Sequence, residues 1–142
     1  MPIVVEQLQS FTAQDRQDLA KIYHDAPAEL FAPFVDAHAL IEYGLSEKTL
    51  IGARFNDRLL GAAQLIRDDR QWRLTHLCVR KATRRRGVAE RLLSEALKLA
   101  DAAECQLRLQ AFMSSPAACA LATKLEVQLE RLASTQIPKA SA

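Results

Sequence analysis

LTHLCVRKATRRRGVAERLLSEAL, residues 74–97, changes its period halfway along, and that change decides the fold. Its first part belongs to QWRLTHLCVR (71–80), whose alternation is that of a strand. From Gly87 to Ala102, Val88, Leu92, Leu93, Ala96, Leu97 and Ala100 fall on one stripe and Glu90, Arg91, Glu95 and Lys98 opposite, the pattern of an amphipathic helix packing on a sheet. Between strand and helix stand Arg80, Lys81, Arg84, Arg85 and Arg86, ending on Gly87. A helix N-terminus carries unsatisfied N–H groups and the positive end of the macrodipole, so it favours an anion, phosphate above all. Gly87 lets main chain approach such a ligand, and Ala89 keeps the next position small. Two other readings account for the cations alone: a patch for nucleic acid, and a solvated basic loop capping a helix.

Composition weighs on that choice. The formal net charge is only +2 and the pI about 8.5, below the pI above about 9 common in dedicated nucleic-acid binders. No aromatic residues are interleaved with the arginines for base stacking. The socket reading explains glycine and arginines together.

Working outward, residues 2–8 are short and β-branched, a first strand. Thr12 is placed to cap AQDRQDLAKIYHDA, where Leu19, Ile22 and Tyr23 recur at helical spacing before Pro27. Residues 28–46 hold another helix, divided by Pro33. TLIGARF and RLLGAAQLI, joined by Asn56-Asp57, form a hairpin, and Asp68-Asp69-Arg70 turns the chain into the strand at 71–80. CQLRLQAF is a further strand, and Ser115-Pro116 opens an Ala-rich helix. Over 126–132, Leu121, Leu125, Leu129 and Leu132 suit a helix while Val127 and Leu129 suit a strand, and the choice stays open. The order predicts one α/β (α+β) domain over 1–133, with a mixed, mostly antiparallel sheet and helices on both faces, and a frayed tail over 134–142.

Cys78, Cys105 and Cys119 have no CxxC spacing and read as buried thiols of a reduced compartment, with no metal site. The first residues lack a basic n-region and no apolar run approaches the length of a membrane span, so a cytoplasmic location is expected, with no membrane or nucleic-acid partner. There is no GxSxG, HExxH or P-loop. His76, on the strand before the arginines, is a candidate general base, though a plain strand histidine is the simpler reading. Cys78 reads as a packed thiol rather than a nucleophile.

Arg84-Arg85-Arg86-Gly87-Val88-Ala89 resembles the [QR]xxGx[GA] motif of the Gcn5-related N-acetyltransferase (GNAT) superfamily, with the strand before it and the amphipathic helix after it as in that fold. The resemblance implies acetyl-CoA or CoA as cofactor, with Leu77, Cys78 and Val79 along the pantetheine arm and Thr83, Arg84, Arg85, Arg86, Gly87, Val88, Ala89 and Glu90 around the pyrophosphate. FTAQDRQDLAKIY, IGARFNDRLLGAAQL and LTHLCVRKATRRRGVAERLLSEAL further resemble the aspartate decarboxylase maturation factor family. That resemblance implies a regulator promoting self-cleavage of the aspartate 1-decarboxylase proenzyme in pantothenate synthesis, with Arg54 and Asn56 contacting the decarboxylase. An ordinary hairpin turn is the simpler reading of those two residues. Many superfamily acetyltransferases carry a Tyr in the last helix as general acid, where ALATKLEV has Leu121 and Ala122. Loss of such an acid costs on the order of 10²–10⁴ in rate, which argues for binding without efficient turnover. An N-acetyltransferase acting on a small amine, with His76 or Glu104 working through water, is the alternative.

Overall fold

Thr12 starts the first helix by a reciprocal cap: its Oγ1 accepts from the Asp15 amide at 3.1 Å, and its own amide donates to Asp15 Oδ2 at 3.2 Å. In this computed structural model, which describes residues 3–24, 26–81, 87–112 and 116–132, strand β1 (Val4–Gln7) leads into that helix, α1 (Ala13–His24). The helix buries Leu19, Ile22 and Tyr23. The stretch expected to hold a helix divided by Pro33 contains a 3₁₀ turn, Ala28–Phe31, and then α2, Ala37–Glu47. Asp36 caps α2 by accepting from the Ala39 amide at 2.9 Å. Strands β2 (Leu50–Phe55), β3 (Arg58–Arg67) and β4 (Gln71–Val79) form the meander, α3 (Val88–Ala102) returns the chain, and β5 (Gln106–Phe112), α4 (Pro116–Leu125) and β6 (Gln128–Leu132) complete it. The undecided stretch at 126–132 is thus an edge strand; Glu126, at φ 56°, turns the chain out of α4.

The sheet runs β1-β2-β3-β4-β5-β6, antiparallel through β4 and parallel from β4 to β6. Each parallel pair encloses a helix, α3 or α4, as a parallel crossover requires. One face packs Ala63, Leu65, Trp72, Leu74, Leu107 and Leu109 beneath α3 and α4. The other gathers Leu50, Leu59, Ala62 and Cys78 with Leu19, Ile22 and Tyr23 of α1 and Leu40, Ile41 and Leu45 of α2. Helices on both faces of a mixed sheet, expected from element order, are what the chain forms. All three cysteines are free; Cys78 is buried, its thiol donating to the Ile22 carbonyl at 3.3 Å, but Cys105 and Cys119 are only half-buried. Among the described residues no helix is long and apolar enough to cross a membrane.

The regular pairing of β3 with β4 breaks at a single place. Ala62 pairs with Cys78 and Gln64 with Thr75, so His76 and Leu77 together face Ala63 alone. This is a β-bulge, and His76 takes φ 54° in it. A non-glycine residue there costs on the order of 1–3 kcal/mol unless its surroundings hold it. They do: the buried Tyr23 hydroxyl donates to the His76 carbonyl at 2.6 Å, and both ring nitrogens are hydrogen-bonded. Tyr23→Phe leaves that carbonyl without its donor and is expected to destabilise the fold by about 1–2 kcal/mol in urea titrations.

Candidate functional site

Beyond the bulge the sheet forks. The parallel pairing of β4 with β5 runs from Gln71↔Gln106 to Leu74↔Leu109 and, among the described residues, goes no further. Yet β4 stays with β3 as far as Val79, and β5 stays with β6 as far as Phe112. Leu77, Cys78 and Val79 therefore lie on the β3 side of the fork. The Cys78 thiol donates to the Ile22 carbonyl, which commits that side chain to the face beneath α1.

The start of α3 is brought to this place by a glycine. A Cβ at Gly61 would stand 2.8 Å from Val88 Cγ1 and 3.2 Å from the Cys78 carbonyl oxygen. Its absence lets β3, the end of β4 and the first turn of α3 close together. Gly87 is the N-cap of α3 at φ 79°, and the helix receives no side-chain cap. The first i to i−4 bond runs from the Arg91 amide to the Gly87 carbonyl at 3.0 Å, so the amides of Val88, Ala89 and Glu90 precede the helical ladder. A Cβ built on Gly87 meets nothing within 4 Å among the described residues. The Val88 side chain is buried beneath Gly61, and Glu90 is paired with Lys124 of α4 at 2.8 Å. Both would serve an anion through their amides alone. Thr83, Arg84, Arg85 and Arg86 lie outside the described residues.

At the same end of the sheet is the β2–β3 hairpin, since Gly61 pairs with Val79 and the tip lies just beyond. Asn56 and Asp57, at φ 48° and 67°, make the tight turn that two left-handed residues define. Arg54 does not extend freely from it. Its guanidinium donates to Asp15 and Glu6, each at 3.0 Å, and to the Asp57 carbonyl at 3.2 Å. Arg58 grips Asp18 by Nε and Nη2, the shorter bond at 2.7 Å, and the Leu59 amide adds a bond to the same carboxylate at 3.1 Å. Burial pushes both carboxyls up, but the guanidinium and amide donors outweigh it and hold Asp15 and Asp18 below the ordinary aspartate pKa. A shallow cleft of ≈ 640 Å³ opens beside the hairpin, lined by Glu6, Phe11, Gln14, Asp15, Arg54 and Arg58 among others. Asp15 and Asp18 did not emerge from the sequence. The available signal was spacing: acids three apart on the helix, arginines four apart across the turn.

The two candidate bases are placed apart. His76 has Nδ1 2.8 Å from the Thr75 hydroxyl and Nε2 2.8 Å from the Ala32 carbonyl. The carbonyl requires a proton on Nε2, so the neutral ring accepts at Nδ1. Burial lowers its pKa, with the Ala32 carbonyl pulling the other way. Glu104 is exposed in the turn before β5, beside the paired end of β4 and β5 and remote from the fork. Neither is brought to the Gly87 opening.

Residues 2–128 match the family model described as the acetyltransferase (GNAT) domain PanZ. The chain belongs to the PanZ family. Among its relatives are the PanD regulatory factors of Salmonella typhimurium, 36% identical over 98 residues (69% of this chain, 68% of the relative), and of Escherichia coli, 35% identical over 106 residues (74% of each). Its fold is also that of the PaiA N-acetyltransferase from Thermoplasma acidophilum, solved in complex with coenzyme A, with a TM-score of 0.66, 15% identity and 88% and 89% of the two chains covered. As a PanZ-family member the chain keeps the GNAT architecture, and α4 has the buried Ala122 where the resemblance leads one to expect a tyrosine. The described tyrosines are used elsewhere: Tyr23 supports the bulge, and Tyr43 stacks on Phe34 at 5.1 Å.

Proposed function

We propose that this chain binds acetyl-CoA or CoA and, so loaded, acts on aspartate 1-decarboxylase as its regulator and maturation factor. The observation that carries the reading is the open, left-handed Gly87 cap of α3, set by Gly61 against the forked end of β4. The amides of Gly87, Val88, Ala89 and Glu90, with Thr83, Arg84, Arg85 and Arg86, suit a diphosphate, and the backbone of Leu77, Cys78 and Val79 suits the pantetheine arm. The cofactor would supply a thioester, read here as a signal. The relatives' name, PanD regulatory factor, supports the decarboxylase as partner, and the hairpin carrying Arg54 and Asn56 stands at the cofactor end of the sheet. A ligand transmits its presence only through a difference in affinity between complexes with and without it. Arg54, held by Glu6 and Asp15, offers the partner a fixed hairpin rather than a mobile cation.

The test is to mix the chain with purified decarboxylase proenzyme, with and without acetyl-CoA, following self-cleavage by mass and free thiol in the same tube. Cleavage accelerated only with the cofactor, with no thiol released, is the expected outcome. Steady thiol release with an added amine, and no effect on cleavage, would assign the chain to acetyl transfer instead.

A further inference from the structure

The sheet face that carries α1 and α2 is covered unevenly. Among the described residues α1 packs mainly on β3 and β4 and α2 on β2, which leaves side chains on the same face of β5 and β6. Burial of Trp72, Leu74, Leu107, Leu109 and Leu129 toward α3 and α4 turns Gln71, Arg73, Gln106, Arg108, Gln110, Gln128 and Glu130 outward by strand alternation.

Within this polar face the charges are unequally matched. Arg73 and Arg108 are register partners on adjacent parallel strands, an arrangement that disfavours two like charges. The carboxylate between them is Glu130, reaching across β5. It lies 3.1 Å from Arg73 Nε, which is buried yet makes no aligned hydrogen bond, and 4.0 Å from Arg108 Nη1. One of its oxygens already accepts from Gln110 at 2.9 Å. Among the described residues Arg108 otherwise meets the neutral side-chain amide of Gln71, whose oxygen faces it in the orientation that satisfies both groups. Two guanidiniums, with ten N–H donors between them by their chemistry, thus share one carboxylate that is close to Arg73, 4.0 Å from Arg108 and partly committed to Gln110.

We infer that this face is a second docking surface for the partner, taking an acidic side chain of an extended segment between Arg73 and Arg108. The inference rests on the decarboxylase reading above. Charge selects the occupant: an incoming carboxylate supplies the bidentate acceptor that Glu130 does not. An extended segment laid along β4 and β5 presents alternate side chains at the period of the strands beneath it, so the glutamines flank the arginines as neutral hydrogen-bonding partners. Residues 133–142, ASTQIPKASA, carry a lysine and no acidic side chain.

Glu130 makes the test sign-specific. Binding of the acetyl-CoA-saturated chain to decarboxylase proenzyme is measured by calorimetry for wild type, Glu130→Gln, Arg73→Gln and Arg108→Gln, with cofactor affinity determined on each variant. Removing the competing carboxylate should tighten partner binding by roughly 3- to 10-fold, and removing either arginine should weaken it by about 10-fold with a shallower salt dependence. Cofactor affinity should be unchanged throughout. If Glu130 is only a structural strut, Glu130→Gln weakens the complex or leaves it unaltered, and either result overturns the inference; this holds even if an arginine variant fails to fold. Wild type that binds proenzyme while all three variants match it sinks the docking surface alone. Wild type that shows no binding sinks the partner reading with it.

Discussion

Gly87→Glu is expected to lower acetyl-CoA affinity by about 100-fold or more while leaving a folded protein, because it sets a carboxylate before the amides that would otherwise receive a diphosphate. The backbone permits the substitution at modest cost. At φ 79° an L-residue loses roughly 1–2 kcal/mol, but its Cβ meets nothing within 4 Å among the described residues. Gly87→Ala separates the two effects. It carries the same backbone strain without the charge, and should show the stability loss with at most a minor change in affinity. Calorimetry with acetyl-CoA and a urea titration on both variants decide the matter. Wild-type affinity in Gly87→Glu would mean that the start of α3 is not the phosphate socket. A loss common to both variants would point to backbone strain rather than charge.

The strand-to-helix change at residues 74–97 was legible because local period and the demands of packing agree there: the predicted stripe from Val88 to Ala100 is buried, with Leu97 at its margin. Agreement failed where a long-range contact decided the outcome. Asp15 and Asp18 look like polar helix residues, and only the hairpin some 40 residues later makes them buried carboxylates. At 126–132 the leucine spacing served helix and strand equally; the end of α4 is set by Glu126 in a left-handed conformation, which sequence advertises clearly only for glycine or asparagine. The bulge at His76 has no local signature either. It arises from Tyr23, Thr75 and Ala32 converging on one residue, and it makes the candidate base His76 a hydrogen-bonded strut.

Asp18→Asn should be among the most damaging single changes, destabilising the protein by about 2–4 kcal/mol, since it removes a buried charge that organises two elements. The carboxylate, with no solvent exposure, accepts from Arg58, from the Leu59 amide and from Gln14 at 3.1 Å. An amide in its place turns a donor toward at least one of these donors. The pH dependence identifies the cause. Asp18 has a folded pKa below its ordinary value near 3.8, so its contribution is fully present above that value and is lost as pH falls through the folded pKa. The stability gap between wild type and Asp18→Asn should therefore be widest near neutral pH and narrow below about pH 4, as wild type also loses its charge. Asp15, lowered in the same way by Arg54 and the Thr12 cap, remains in both proteins; because the Asp18 charge raises its pKa, its contribution cancels only in part. A gap that stayed constant down to about pH 2.5 would show that shape rather than charge holds the hairpin. Because Arg58 starts β3 directly after the Asn56-Asp57 turn, the same variant should weaken decarboxylase binding more than cofactor binding. Gly61, which seats α3 against β4, lies further along β3 and does not touch Asp18, so the cofactor end can keep its geometry while the hairpin loses its anchor.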